Sequence, residues 1–130
     1  MSIDTTKAYN GFAVPDLDAA RQFYGEKLGV KVSSVAEGAP LIQLELGDRP
    51  TLVYAKPDHE PANYTILNFP VDDLDDTVDE LAAKGVQFER YDGFDQSEKG
   101  IAEPPEPGMG PRIAWFTDPA GNILAVHEDA

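Results

Sequence analysis

The sequence predicts an α+β fold built from two tandem copies of one βαβββ module. Three observations predict it. The segment Phe12-Ala13-Val14-Pro15-Asp16-Leu17-Asp18 returns 57 residues later as Phe69-Pro70-Val71-Asp72-Asp73-Leu74-Asp75, with five of the seven positions identical. Each copy leads into a helix-like stretch that ends in Gly-Val, at Gly29-Val30 and at Gly85-Val86. The flanking segments have β character and are punctuated by turn residues. The period is too long for a solenoid repeat, so any ligand site is expected where the two copies face each other.

The elements follow in order. Residues 8 to 14 alternate and open module one. Asp16 or Asp18 caps a helix carrying Ala19, Ala20, Phe23, Tyr24 and Leu28 at helical spacing, and Gly29 stops it. Strands are expected near 30 to 36, 41 to 46 and 51 to 56, separated by Gly38-Ala39-Pro40 and by Gly47-Asp48-Arg49-Pro50. Pro57-Asp58-His59-Glu60-Pro61-Ala62 reads as a linker. Module two repeats the order, with a strand at 64 to 71, a helix from about 74 to 84 ended by Gly85, and strands near 86 to 91, 112 to 117 and 122 to 128. Asp118-Pro119-Ala120-Gly121-Asn122 is a hairpin-turn signal between the last two strands. The irregular stretch from Asp92 to Pro111, with Pro104-Pro105-Glu106-Pro107-Gly108 in it, is either a lid over a cleft or plain disorder. Gly108-Met109-Gly110 precedes a proline and a strand, not a helix N-terminus, so it is not a phosphate-binding loop.

Length and composition bound the function. At 130 residues one domain over 1–130 is expected, with module one at about 7–56, a linker at 57–63 and module two at about 64–128. Either half alone would bury only a marginal fraction of its surface. The absence of cysteine excludes a disulfide framework, thiolate metal ligands and a cysteine nucleophile. A formal charge of -14 argues against phosphate-backbone binding, so no nucleic-acid partner is expected. An acidic field can concentrate cationic small molecules or simply keep a protein soluble. The N-terminus lacks a basic n-region and an apolar h-region, and no apolar run approaches membrane-spanning length. A cytoplasmic protein without a membrane partner is expected.

Strand alternation sorts the side chains by face. Phe12, Val14, Leu67, Phe69 and Val71 form the apolar set expected under the helices. The opposite, inner surface carries Tyr9, Gln43, Glu45, Tyr54, Lys56, Asn68 and His127 among apolar neighbours, which suits a small-ligand pocket.

The paired βαβββ order, Val14-Pro15-Asp16-Leu17-Asp18 ahead of Phe23-Tyr24 and Leu28-Gly29-Val30, and the closing Trp115-Phe116-Thr117-Asp118-Pro119-Ala120-Gly121-Asn122 together resemble the vicinal oxygen chelate superfamily. Glyoxalase I, bleomycin-resistance proteins, fosfomycin-resistance enzymes and extradiol dioxygenases belong to it. The resemblance covers nearly the whole chain and implies a half-open, barrel-like cleft and a homodimer. It also implies metal ligands at set positions: His or Gln at the start of each module's first strand and Glu near the end of its fourth. Those positions fall on Tyr9 and Ile66 and on Tyr54 and Ala125, none of them an ordinary His or carboxylate ligand. No metal site and no cofactor are therefore expected.

Two function classes remain. The first is a metal-free binding protein resembling the bleomycin-resistance branch. It would sequester a small cationic or aromatic molecule in the inter-module cleft, lined by Tyr9, Gln43, Tyr54, Asn68 and Trp115. Trp115 is equally readable as core. The alternative is a glyoxalase-like isomerase or lyase with a displaced or non-standard metal site, whose catalytic candidates are Glu45 and His127. Glu45 is either a base, a cation partner or a rim residue, and His127 lies at a strand end that is prone to fraying. His59 belongs to the linker. No Gly-x-Ser-x-Gly elbow or His-Glu-x-x-His helix offers another constellation.

Overall fold

The structure is a computed structural model, and it describes residues 3–106 and 109–129. The Pro107-Gly108 pair of the irregular stretch, which includes the first glycine of Gly108-Met109-Gly110, lies outside the described residues, as do Met1, Ser2 and Ala130. The chain divides into two compact units, Met1–Glu60 and Pro61–Ala130.

The first unit runs β1 (Asn10–Val14), α1 (Leu17–Gln22), β2 (Lys31–Ser34), β3 (Leu41–Leu46) and β4 (Arg49–Ala55). Asp16 starts α1, its carboxylate accepting the N–H groups of Asp18 and Ala19 at 3.0 and 3.2 Å. Such a cap satisfies donors that the first helical turn leaves without partners. A π-helical turn, Phe23–Lys27, extends α1, with the Leu28 N–H donating to the Phe23 carbonyl at 3.1 Å. Its wide winding narrows the angle between successive side chains, so the adjacent Phe23 and Tyr24 are both buried. Tyr24 also meets Phe12 at 5.8 Å between ring centroids.

The four strands form one sheet in the order β1-β4-β3-β2, with β1 parallel to β4 and the other pairs antiparallel. Its helix-covered face holds Val14, Ile42, Leu44 and Val53, each at most 1% exposed. Emptying such a site, as in Leu44→Ala, typically costs about 2–5 kcal/mol. β4 begins at Arg49, two residues before the expected 51. Leu46 pairs with Arg49 across Gly47-Asp48, and Gly47 at φ 58° supplies the positive φ that a tight hairpin needs. Half of the expected four-residue turn is thus strand.

The second unit runs β5 (Thr65–Pro70), α2 (Leu74–Ala83), β6 (Arg112–Thr117) and β7 (Ile123–Glu128), with sheet order β5-β7-β6. Asp73 caps α2 by accepting the Asp76 N–H at 3.0 Å. At the other end Gly85, at φ 93°, lets the Gly85 and Val86 N–H groups reach the Ala82 and Leu81 carbonyls, both at 3.0 Å. That double bond pattern is the Schellman closure. Leu74, Val78 and Leu81 form the buried stripe of α2.

One expected strand does not form. Residues 86–91 make a single isolated bridge, Phe88 opposite Phe116, and this sheet has three strands. The Glu89 N–H still donates to the Trp115 carbonyl at 2.7 Å, and the rest of the backbone around 89–91 is held by a side chain. Gln96 accepts the Tyr91 N–H at 2.8 Å and donates to the Glu89 and Gly100 carbonyls at 2.9 and 2.8 Å. Arg90 closes the same loop by donating to the Ser97 and Glu98 carbonyls at 2.7 and 2.8 Å. Within the irregular stretch, 92–102 is therefore a bonded loop. Among the described residues no helix is long and apolar enough to cross a membrane.

Candidate functional site

The helix-free face of the first sheet gathers the polar groups singled out in the sequence. Register places Gln43 opposite Leu52 and Ser33, Tyr54 opposite Leu41 and Ala13, and Glu45 opposite Pro50 and Lys31. Because cross-strand partners share a face, Gln43, Glu45 and Tyr54 stand on the side away from Ile42, Leu44 and Val53. Glu45 is exposed and Gln43 half-buried, while Tyr54 is 44% exposed. Gly11 lies in the Gln43 row, and a methyl there would come within 3.0 Å of the Leu52 carbonyl oxygen. Glycine thus keeps that end of the row low.

Glu45 is oriented by its neighbours. Ser33 Oγ donates to Glu45 Oε1 at 2.8 Å, and Gln43 Nε2 donates to the same oxygen at 3.1 Å. These two donors, followed by the weaker attraction of Lys31, hold its carboxyl below the ordinary range. A carboxylate so held keeps its charge and is a poorer proton acceptor than the raised carboxylates typical of catalytic bases. Ser33 escaped the sequence reading because its role depends on the β2–β3 register. Tyr9, 63% exposed, immediately precedes β1, and Lys56 follows β4 and pairs with Asp58 at 2.7 Å.

In the second unit, register puts Asn68, Ala125 and Trp115 in one row and Pro70, His127 and Ile113 in the next, all on the helix-free face. Asn68 is exposed. His127 is half-buried, its Nδ1 lying 3.2 Å from Asp129 Oδ1, so it is anchored at the strand end where fraying was expected. Trp115, expected to line a ligand site or to lie in the core, is 9% exposed and packs with Ala102 and Ala125. Tyr91 meets its ring edge-on at 5.3 Å and Phe94 lies against it at 4.9 Å. The loop thus covers part of a face that alternation alone leaves open. Tyr91 and Phe94 were missed because nothing local in the sequence shows that this loop folds back.

The positions where the resemblance implies metal ligands do not fit a metal. Ile66 and Ala125 have no donor atom, Ala125 is fully buried, and Tyr9 and Tyr54 offer only phenols. Among the described residues no three His, Cys, Asp or Glu side chains are grouped so that they could hold a metal ion.

Among the described residues, two α-helices, two small sheets and a repeated parallel first-to-last strand pairing define the class. The chain belongs to the Glyoxalase/Bleomycin resistance protein/Dioxygenase superfamily, whose family model matches residues 3–126. Among solved structures it is similar to a protein assigned to the glyoxalase family from Bacillus anthracis, at 19% identity and a TM-score of 0.74 over 100% of this chain and 99% of that one. The fosfomycin resistance protein FosX from Listeria monocytogenes matches at 12% identity and a TM-score of 0.71, over 96% of this chain and 91% of its own. TnmS3, an antibiotic binding protein from Streptomyces sp. CB03234, matches at 23% identity and a TM-score of 0.64, over 100% and 99%. At these identities the likeness establishes the fold. No curated protein matches the sequence significantly.

Proposed function

We propose that this protein binds a small organic molecule, cationic or aromatic, and that it does so as a single domain without the metal chemistry found elsewhere in its superfamily. One observation carries the reading. An exposed phenol, an amide and an oriented carboxylate share one helix-free sheet face, while two of the family's metal positions hold residues with no donor atom. Tyr54 and Gln43 are the central ligand contacts and Tyr9 flanks them. Within the second unit, Asn68 and Trp115 are separate candidate contacts on its own helix-free face, Trp115 through the aromatic surface that it shares with Tyr91 and Phe94. TnmS3, described as an antibiotic binding protein, is a precedent for binding on this fold. The binding form is a cytoplasmic homodimer.

An isomerase or lyase using Glu45 or His127 as base is the weaker reading, because Glu45 is held in its charged, weakly basic form. Elemental analysis after dialysis against Ni, Zn, Mn and Fe salts is expected to find less than stoichiometric metal. About one metal per chain would bring the enzymatic reading forward. Calorimetric titration with an aromatic ligand should show Tyr54→Ala weakening binding by roughly 2- to 30-fold, the value of one ring contact of about 0.5–2 kcal/mol. Replacing Tyr9 and Tyr54 by Phe should change binding only modestly. Detectable turnover of a substrate that collapses in that double variant would instead support catalysis.

A further inference from the structure

Building on the small-molecule reading above, we propose that Glu45 is a specificity anchor that selects a ligand carrying an ammonium or amidinium group, with Tyr54 receiving the ligand's apolar end. Both protein donors to Glu45 reach Oε1, from Ser33 at 2.8 Å and from Gln43 at 3.1 Å. Oε2 has no partner among the described residues, and it stands on an exposed side chain. Lys31 lies directly across the β2–β3 pair, yet among the described residues it makes no ion pair with Glu45. The carboxylate is thus fixed in direction, unneutralised at close range and accessible. That arrangement suits a charge-assisted hydrogen bond from an incoming cation.

The surroundings favour the same ligand charge. The chain carries a formal charge of -14, which raises the local concentration of cations and repels anions. Tyr54 lies on the same face four residues along β3 from Glu45, on the neighbouring strand. At about 3.4 Å per residue and about 4.8 Å between strands, their Cα atoms are roughly 14 Å apart. The ligand selected is therefore elongated, with a cation at one end and an aromatic or aliphatic body at the other. The half-buried Gln43 and Leu52 lie between.

The test compares phenylhexylammonium with phenylhexanol, a neutral molecule of the same shape, by calorimetry at low salt on the wild-type protein and on Glu45→Gln and Ser33→Ala. The ammonium compound is expected to bind at least about tenfold more tightly than the alcohol, as a charge-assisted bond implies. Glu45→Gln should erase that difference by weakening the ammonium compound toward the affinity of the alcohol. Ser33→Ala, which frees the carboxylate without removing its charge, should retain a reduced preference. Equal affinity of the two probes for the wild-type protein, with Tyr54→Ala weakening both, would overturn the role of Glu45 and leave the small-molecule reading intact. Failure of both probes to bind would count against the anchor and against the choice of this sheet face together.

Discussion

Gln96 does for its loop what a neighbouring strand does elsewhere. One amide side chain serves the Tyr91 N–H and the carbonyls of Glu89 and Gly100. Gln96→Ala is expected to lower stability by about 1–3 kcal/mol, since partly buried backbone groups lose their partners. Gln96→Glu should do no better, because a carboxylate cannot donate to the two carbonyls. Chemical denaturation of both variants checks this, and wild-type stability in either would show that water replaces these bonds at little cost. Tyr91 gives a pH signature. Burial, and then the charge of Glu89, raise its phenol above the ordinary tyrosine value. The stability contributed by the neutral phenol is present below about pH 10 and falls as pH rises from there toward the folded value. Ultraviolet titration of wild type and Tyr91→Phe side by side should therefore show that the variant has lost a tyrosine ionisation step lying above the ordinary tyrosine value.

Among the elements, those with local signals were legible and those closed by distant partners were not. Asp16 and Asp73 at the two helix starts, and Gly85 behind α2, are found where capping chemistry places them. The Asp118 turn was readable for the same reason. The buried Asp118 carboxylate accepts the N–H groups of Ala120 and Asn122 at 3.0 and 2.9 Å and the Asn122 side-chain amide at 3.0 Å. Gly121 sits in this turn at φ 88°, with Pro61 Cγ 3.2 Å from where a methyl would be. Gly121→Ala should cost at least about 1 kcal/mol from the left-handed backbone alone, more than the exposed Ala83→Gly in the last turn of α2. Thermal denaturation of the pair decides it. The strand expected at 86–91 shrinks to one bridge: the Glu89 N–H still reaches the Trp115 carbonyl at 2.7 Å, but the Tyr91 N–H and the Glu89 carbonyl turn to Gln96, a residue that local β propensity does not take into account.

For the whole molecule, the repeat and the turn residues made two modules and their face assignments readable in advance. The placement of Gln43, Glu45 and Tyr54 on one face follows from alternation alone. What alternation could not supply was register, and register is what brings Ser33 to Glu45 and turns a rim residue into a directed carboxylate. Nor could it show that the loop carrying Tyr91 and Phe94 lies on Trp115. The central claim is that the helix-free face of the first sheet receives a small molecule. Its most direct test is residue-resolved NMR of the amide and side-chain signals while the protein is titrated with phenylhexylammonium and then with a panel of aromatic cations. The expected result is saturable shifts centred on Ser33, Gln43, Glu45 and Tyr54, with Lys84 and Asp92 unmoved. Saturable binding that leaves those four residues unshifted would contradict the account.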